Sequence, residues 1–287
     1  MKHILLCTDG SVFAQSSYRY AAWLAHRLNA GVDVLYVTDI RSQQAVTTQN
    51  FSGSIGIDAS QELLKKLVAL EHEKAKINHQ RSKLILAEAK EVLQQEKVAT
   101  VKLIHETGFL VDSFHEFEVD ADLIVLGKRG ENAEFASKHL GANVERIVRA
   151  SHKPCLVTTR EYQPIKRLLL AYDGSQSCQK MLDFLVTSPA WQGLELEILT
   201  VVKKNHEQRA LAQLEAAEKK VQAAGFNPVC QLLHGNSETV ISNYIQAHDI
   251  SLLLMGAYGH SRIRHLVIGS TTVQMLRSSH IPVLLFR

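Results

Sequence analysis

The first half of the chain alternates short apolar runs with stretches of helical periodicity. This alternation is typical of strand–helix–strand units that build a parallel sheet. It predicts strands at 3–8, 32–37, 99–104, 122–126 and 154–158, and helices at 12–29, 60–97, 108–117 and 142–150. Residues 41–58 are polar and contain two glycines, so we predict a loop or a disordered lid there.

The second half shows the same alternation. It predicts strands at 167–172, 194–201, 228–233, 251–255 and 282–286, and helices at 176–187, 207–224, 236–247 and 270–278. The chain is therefore predicted to be an α/β protein with two tandem, doubly wound, five-stranded parallel sheets of the Rossmann-like kind.

The two halves are copies of one another. Three pairs of segments carry the repeat: 3–11 with 167–175, 122–130 with 251–259, and 153–157 with 281–285. The offset between the copies falls from 164 to 129 and then to 128 positions, so the first copy carries 35 additional residues before its 122–130 segment and one more after it. We predict two domains, 1–160 and 165–287, with a short linker that makes them dock.

A glycine-rich loop follows the fourth strand of the second copy. Gly256 and Gly259 have the spacing G-x-x-G, and nine residues later Gly269-Ser270-Thr271 opens a helical pattern. Glycine allows the backbone to approach an anion closely, and a helix N-terminus favours negative charge. We predict a phosphate site, with Ser270 and Thr271 as N-cap residues. A plain tight turn before a helix is the alternative.

The same loop is altered in the first copy. Ten residues, instead of nine, separate Gly130 from Gly141, and no hydroxyl follows the second glycine. The first loop also carries acids such as Glu131, where the second carries His260 and Arg262. Because acidic side chains repel phosphate, we predict that the second copy is competent and the first is degenerate.

Each half resembles a universal stress protein domain, and the whole chain resembles a tandem universal stress protein. Nucleotide-binding members of that family carry G-x-x-G, nine residues, and then G-(S/T), which is the pattern at Gly256, Gly259 and Gly269. They also carry an aspartate after the first strand and a valine that ends the second, matched here by Asp173 and Val201.

The resemblance implies an adenine nucleotide, ATP or AMP, in the second domain, and it leaves open whether Mg²⁺ accompanies the nucleotide. The implied ligand-binding residues are Asp173, Val201, Gly256, Gly259, His260, Arg262, Gly269, Ser270 and Thr271. By resemblance, the backbone of Asp173 and Val201 holds adenine edges, the glycines approach the ribose and the first phosphate, and the last helix holds the outer phosphates. A role in turn formation is the alternative for Asp173, and a solvated loop is the alternative for His260 and Arg262.

The sequence favours a nucleotide-binding stress or signalling protein over an enzyme. The G-x-x-x-x-G-K-(S/T) pattern is absent, and no lysine stands in the second glycine loop. We identify no catalytic residue and no metal-ligand motif. Two alternatives stay open: a structural or protein-interaction scaffold without a functional nucleotide, and a slow ATPase.

Composition narrows the class of partner. The formal net charge of +3 over 287 residues gives no reason to expect nucleic-acid binding, and no apolar run is long enough for a membrane span. Four cysteines without a C-x-x-C pair, and a strand that begins almost at the N-terminus, predict a cytoplasmic protein. By resemblance, strands 154–158 and 282–286 pair within the chain as a pseudo-dimer. A further homodimer and an unidentified protein partner stay open.

Most of the additional residues of the first copy fall in a long helical pattern. Its apolar stripe consists of Leu63, Leu64, Leu67, Leu70, Ile77, Leu84, Leu86, Ala89 and Leu93. We predict a surface helix packed on its own sheet. The alternative is an arm that contacts a partner or the other half.

Overall fold

The computed structural model describes residues 2–40, 57–130, 140–202, 207–257 and 269–287. In the first half, the elements in chain order are β1 (His3–Thr8), α1 (Val12–Leu28), β2 (Gly31–Asp39), α2 (Ile57–Gln95), β3 (Val101–Gly108), α3 (Leu110–Glu118), β4 (Leu123–Gly127), α4 (Ala142–Ala150) and β5 (Cys155–Thr158). The order agrees with the predicted one.

The second half repeats this order. Its elements are β6 (Arg167–Ala171), α5 (Gln176–Thr187), a 3₁₀ turn (Pro189–Trp191), β7 (Glu195–Val202), α6 (Glu207–Ala223), β8 (Val229–His234), α7 (Ser237–Ala247), β9 (Leu252–Gly256), α8 (Ser270–Ser278) and β10 (Val283–Phe286). The 3₁₀ turn was not predicted.

All ten strands form one sheet in the order β3-β2-β1-β4-β5-β10-β9-β6-β7-β8. Within each half the strands are parallel, and the halves meet where β5 and β10 pair antiparallel, with Leu156 opposite Leu284. This confirms the predicted doubly wound α/β fold and the predicted pairing of the last strands. Two exposed sheet edges are thereby removed.

Two predicted boundaries need correction. Strand β3 was predicted to end at 104, but it continues to Gly108, which pairs with Asp39 of β2. Helix α2 begins at Ile57, so residues 57 and 58 are helical and not part of a loop. The rest of the predicted loop, 41–56, lies outside the described residues.

The core has one layer on each face of the sheet, and both layers cross from one half to the other. One layer contains side chains of α1, α2, α5 and α6, and it includes Leu156 and Leu284. The other contains side chains of α3, α4, α7 and α8, and it includes Cys155 and Leu285. Helices on both faces explain why the central strands are continuous apolar runs.

Polar and aromatic contacts also join the halves. Arg27 of α1 donates from its guanidinium to the carbonyl oxygens of Ala190 and Gln192, and it lies over the ring of Trp23 at 5.3 Å. The rings of Trp23 and Trp191 are 6.1 Å apart. The halves therefore dock, as the short linker predicts.

The long helix α2 follows the predicted stripe only in part. Leu86, Ala89 and Leu93 are buried against the sheet, whereas Leu70 and Leu84 are 57% and 72% exposed. From Ser82 onwards one face of α2 thus packs on its own sheet and leaves Leu84 outside, whereas residues 65–77 are exposed. None of the helices in the described ranges is long and apolar enough to cross a membrane.

Candidate functional site

Three of the predicted site residues lie at the carboxyl ends of neighbouring strands. Asp173 follows β6, Val201 lies near the end of β7, and Gly256 ends β9. Since β6 lies between β9 and β7 and all three are parallel, these ends share one rim that is about 10 Å wide. The chain order reverses between β6 and β9, and ligands of open α/β sheets bind at such a switch point.

The peptide groups of Val201 face a gap in the sheet. The last bond between β6 and β7 runs from the Tyr172 N–H to the Leu199 carbonyl, at 2.9 Å. Peptide groups alternate in direction along a strand, so those of Leu199 and Val201 point to the same side. On the other side, Val202 accepts a bond from the Gly235 N–H. The Val201 peptide groups therefore point past the end of β6, towards Asp173.

Asp173 also forms the turn that leads into α5. Its Oδ1 accepts a hydrogen bond from the Ser175 N–H at 2.9 Å, and Ser175 Oγ accepts one from the Cys178 N–H at 3.4 Å. Gly174 between them has a φ of +69°, which favours glycine. The turn role given as the alternative for Asp173 is therefore present, and the exposed residue still stands at the rim.

Gly256 has a packing role. A Cβ at this position would overlap Ser177 Oγ and would lie 3.2 Å from Cys178 Sγ, because the first turn of α5 crosses the end of β9. In the first half, a Cβ on Gly127 would meet Phe13 in the same way, at 3.0 Å. Both glycines therefore allow close helix–strand packing, and this role is independent of any contact with a ligand.

The amino-terminus of α8 is held against the end of β9. The Gly269 N–H donates to the Ala257 carbonyl at 3.1 Å, and Thr272 Oγ1 donates to the Gly256 carbonyl at 3.2 Å. The N–H groups of Ser270 and Thr271 lie in the first helical turn, where the helix offers no acceptor for them. They are the groups that can face an anion at this rim.

The predicted cap of α8 was wrong. Gly269 is the N-cap residue, with no side-chain cap bond, and Ser270 is already the first helical residue. The helix begins there because the Gly269 N–H is bound to Ala257, which fixes the glycine in an extended conformation with ψ of 142°. Gly259, His260 and Arg262 lie outside the described residues, so their roles stay predictions.

The two halves differ in charge and bulk at the corresponding rim. Helix α4 has an acid in its first turn, Glu145, which pairs with Arg149 at 2.7 Å, whereas α8 has none. In the first half, a Cβ on Gly130 would lie 2.6 Å from Asp9 Oδ2, so a carboxylate contacts the glycine loop. An anion is therefore less favoured at the first rim than at the second.

Sequence reasoning missed two features of the second rim. The repeat offset of 164 places Phe13 opposite Ser177, so the first half has a bulky side chain where the second has a small one. Thr272, which joins α8 to β9, corresponds to Val144 in the first half. A residue-by-residue alignment of the copies contains both signals.

A polar cleft of about 290 Å³ lies in the first half, between α2 and the ends of β2 and β3. His105 occupies its wall, with Nε2 3.0 Å from Thr38 Oγ1 and Nδ1 3.2 Å from Ser82 Oγ. Burial and the neighbouring His79 lower the pKa of His105. Both ring nitrogens are engaged by hydroxyls, so His105 ties α2 to the sheet.

Lys128 is a buried cation between the halves. It follows β4, is 8% exposed, and donates from Nζ to the Ser279 carbonyl at 2.8 Å. Ser279 is the C-cap residue of α8, so this bond connects the first half to the helix whose amino-terminus borders the second rim. Burial, with a smaller contribution from Arg129, lowers the pKa of Lys128 to about 8.

The pKa of Lys128 predicts a stability change at alkaline pH. Above pH 8 Lys128 loses its proton in the folded chain. In the unfolded chain Lys128 keeps that proton up to the ordinary lysine pKa of 10.5. The unfolded state then binds more protons, so stability rises with pH across this window and is level below it. Relative to Lys128→Met, we expect the natural chain to gain about 2 kcal/mol between about pH 7 and 9.5.

Urea unfolding of both proteins at the two pH values measures this gain. The thiols and phenols with raised pKa values are common to both proteins, so their effects cancel in the difference. Equal pH dependence in the two proteins would show that Lys128 titrates normally.

Comparison with known proteins finds similarity to universal stress proteins. The model of the universal stress protein family matches residues 1–159 and 164–287. Universal stress protein Slr1230 of Synechocystis sp. is 58% identical over 287 residues, which cover all of both chains. A crystal structure of a universal stress protein from Archaeoglobus fulgidus superposes with a TM-score of 0.70, at 19% identity, over 99% of this chain and 96% of that one. A universal stress protein solved in complex with cAMP matches 44% of this chain and 98% of its own, at 22% identity and a TM-score of 0.37.

Proposed function

Because this chain belongs to the universal stress protein family, we propose that its second domain, 165–287, binds an adenine nucleotide and acts through it in stress signalling. One observation carries the proposal. The outward-facing peptide groups of Val201 and the amino-terminus of α8 border the same switch point, between β6 and β9. Together they offer a hydrogen-bonding edge for a base and a positive pole for phosphates.

The nucleotide lies across the rim in this proposal. Its adenine edge meets the peptide groups of Val201 and Asp173, and its phosphates meet the first-turn N–H groups of Ser270 and Thr271. Gly256 and Gly259 leave the backbone free to approach the ribose, and His260 and Arg262 add positive charge. Asp173 is an exposed oxygen donor at this rim, so a Mg²⁺ ion would depend mainly on the phosphates for its ligands.

The first domain, 1–160, does not bind nucleotide in this proposal. Its rim carries the contact between Gly130 and the Asp9 carboxylate, and the acid in the first turn of α4. Both acids oppose a phosphate. The first domain then supports the second one through their shared sheet. Free cysteines are typical of a reducing compartment, so we place the protein in the cytoplasm.

Calorimetric titration of the full chain tests the proposal. Mg-ATP, AMP and cAMP are titrated separately, and we expect one site per chain for at least one of them. Two sites would contradict the proposal that the first domain does not bind nucleotide. Absence of binding for all three would overturn the nucleotide proposal and favour the scaffold alternative.

A further inference from the structure

A polar contact lies where α2 begins to pack on the sheet of the first half. Ser82 is 1% exposed and is the first buried residue along the part of α2 whose side chains are described, whereas residues 65–77 are exposed. Its Oγ lies 3.2 Å from Nδ1 of His105 on β3, and Nε2 of the same ring lies 3.0 Å from Oγ1 of Thr38 on β2. These three residues, which we call the His105 contact, therefore join α2 to two strands.

The hydrogen bonds place the ring hydrogen of neutral His105 on Nδ1. Ser82 Oγ uses its own hydrogen to donate to the His79 carbonyl at 2.8 Å, so it accepts from Nδ1 of His105. Nε2 of the neutral ring then accepts from the Thr38 hydroxyl. A proton added at Nε2 reverses this bond, because the Thr38 hydroxyl must rotate to accept, and a charged ring is left inside the contact.

The surroundings of His105 disfavour a charged ring. The titratable or charged groups that line its cleft, contact its ring or act on its charge in the described part of the chain are Glu71, Lys74, His79, Tyr36 and Glu106. The His79 ring lies 6.0 Å away on α2, and Glu71 is already paired with Lys74 at 3.6 Å. Burial and His79 lower the pKa of His105, and Glu106 offsets only part of this effect. The docked position of α2 therefore favours the neutral ring.

The second half shows that the fold does not require a polar contact here. The sheet register and the spacing of buried residues on the helices identify the corresponding residues as Val202, Ala210 and Leu232. Leu232 has the place on β8 that His105 has on β3. Ala210 precedes a buried leucine of α6 by four residues, as Ser82 does on α2. All three residues are apolar, so the same packing position responds to protons only in the first half.

We propose that the His105 contact is a pH-sensitive switch for the position of α2. While His105 is neutral, the contact holds α2 on β2 and β3. When His105 is protonated, the contact opens, and the turns of α2 that precede Ser82 separate from the ends of these strands. The cleft of about 290 Å³ that these turns border then widens. In the second half α6 begins at Glu207, the position that corresponds to His79, so the described residues there contain no counterpart of these turns.

The direction of the response follows from proton linkage. The pKa of His105 is lowered while α2 is docked, and it returns to the ordinary value of 6.5 when the helix has separated and water surrounds the ring. The separated state therefore binds the proton more tightly than the docked state does. Docking weakens as the pH falls below about 6.5, and above that value it no longer depends on His105.

Hydrogen–deuterium exchange of the full chain at about pH 7.5 and about pH 5.5 tests the switch. After correction for the intrinsic exchange rate at each pH, we expect the protection of α2 around Ser82 to fall several-fold at the lower pH. Helix α6 is the control within the same molecule, because Ala210 and Leu232 do not titrate. Its protection should be the same at both pH values.

Three variants locate the sensor. His105→Gln keeps one donor and one acceptor but does not titrate, so the protection of α2 should no longer depend on pH. A triple variant, Thr38→Val with Ser82→Ala and His105→Leu, copies the second half and should also lose the response. His79→Gln is the matched control. It removes the other histidine of the cleft and should keep most of the response, since burial is the larger cause of the lowered pKa of His105.

Equal corrected protection of α2 at both pH values in the natural chain would overturn the proposal. A response that persists in His105→Gln, or that only His79→Gln removes, would overturn it too, because another group would then be the sensor. NMR titration of the His105 ring in the natural chain decides the matter if a variant does not fold. The ring should titrate below 6.5 and in step with the loss of protection, and titration at or above 6.5 would contradict the switch.

Discussion

A Gly269→Val variant is expected to lose nucleotide affinity by at least about 100-fold while it keeps its fold. Gly269 is the N-cap residue of α8. In the proposed site, phosphate oxygens pass it to reach the N–H groups of Ser270 and Thr271. A branched side chain there blocks that approach. The backbone itself tolerates valine, because φ is −57° and ψ is 142°, a region open to every residue.

The first domain offers the matched control. Gly141 is the N-cap residue of α4, with nearly the same backbone angles, φ −59° and ψ 133°. A Cβ placed on Gly141 finds its nearest neighbours at ordinary contact distance, 3.4 Å. An alanine side chain therefore fits at Gly141, and a folded Gly141→Val protein should bind nucleotide normally. Retained affinity in a folded Gly269→Val protein, or lost affinity in Gly141→Val, would show that the site is misplaced.

The periodicity of the chain predicts most of the fold. Both layers of helices cover the sheet, so central strands such as β4 and β9 are uninterrupted apolar runs that stand out in the sequence. The resemblance to universal stress proteins adds the pairing of the two halves, because it implies that their last strands pair within the chain. The antiparallel contact between Leu156 and Leu284 confirms that step.

Tertiary contacts decide what periodicity does not show. Strand β3 runs through His105, Glu106 and Thr107, because pairing with β2 stabilises its backbone while the polar side chains stay partly exposed. The α8 cap lies at Gly269 because Ala257 binds its N–H, a contact between residues on either side of the glycine loop.

The glycine motif, its spacing and the resemblance predict the candidate site. The difference between the two copies of that site was predicted only in part. The acids of the first loop were visible in the sequence, but Phe13 was read as part of a helix. Its effect depends on how closely α1 crosses the end of β4 at Gly127. The stripe on α2 shows the same limit, since its period does not tell which apolar residues meet the sheet.

Leu284→Ala is expected to destabilise the chain by about 3 kcal/mol, the usual cost of removing a buried leucine side chain. Leu284 is fully buried, and β10 places it between Leu156 of the first half and Leu254 of the second. The cavity therefore opens in a core layer that both halves share. We expect both halves to lose stability together, which urea unfolding followed by hydrogen exchange can measure in β1 and β6 separately.

Leu211→Ala makes the same substitution at a position that is 46% exposed on α6, and it should change stability by less than about 0.5 kcal/mol. The comparison separates the loss of a shared core from a general effect of alanine. If Leu284→Ala lowers the hydrogen-exchange protection of β6 and leaves that of β1 unchanged, the halves unfold independently. The continuous sheet argues for the opposite, because unfolding of either half would expose the β5–β10 contact and the apolar layers behind it.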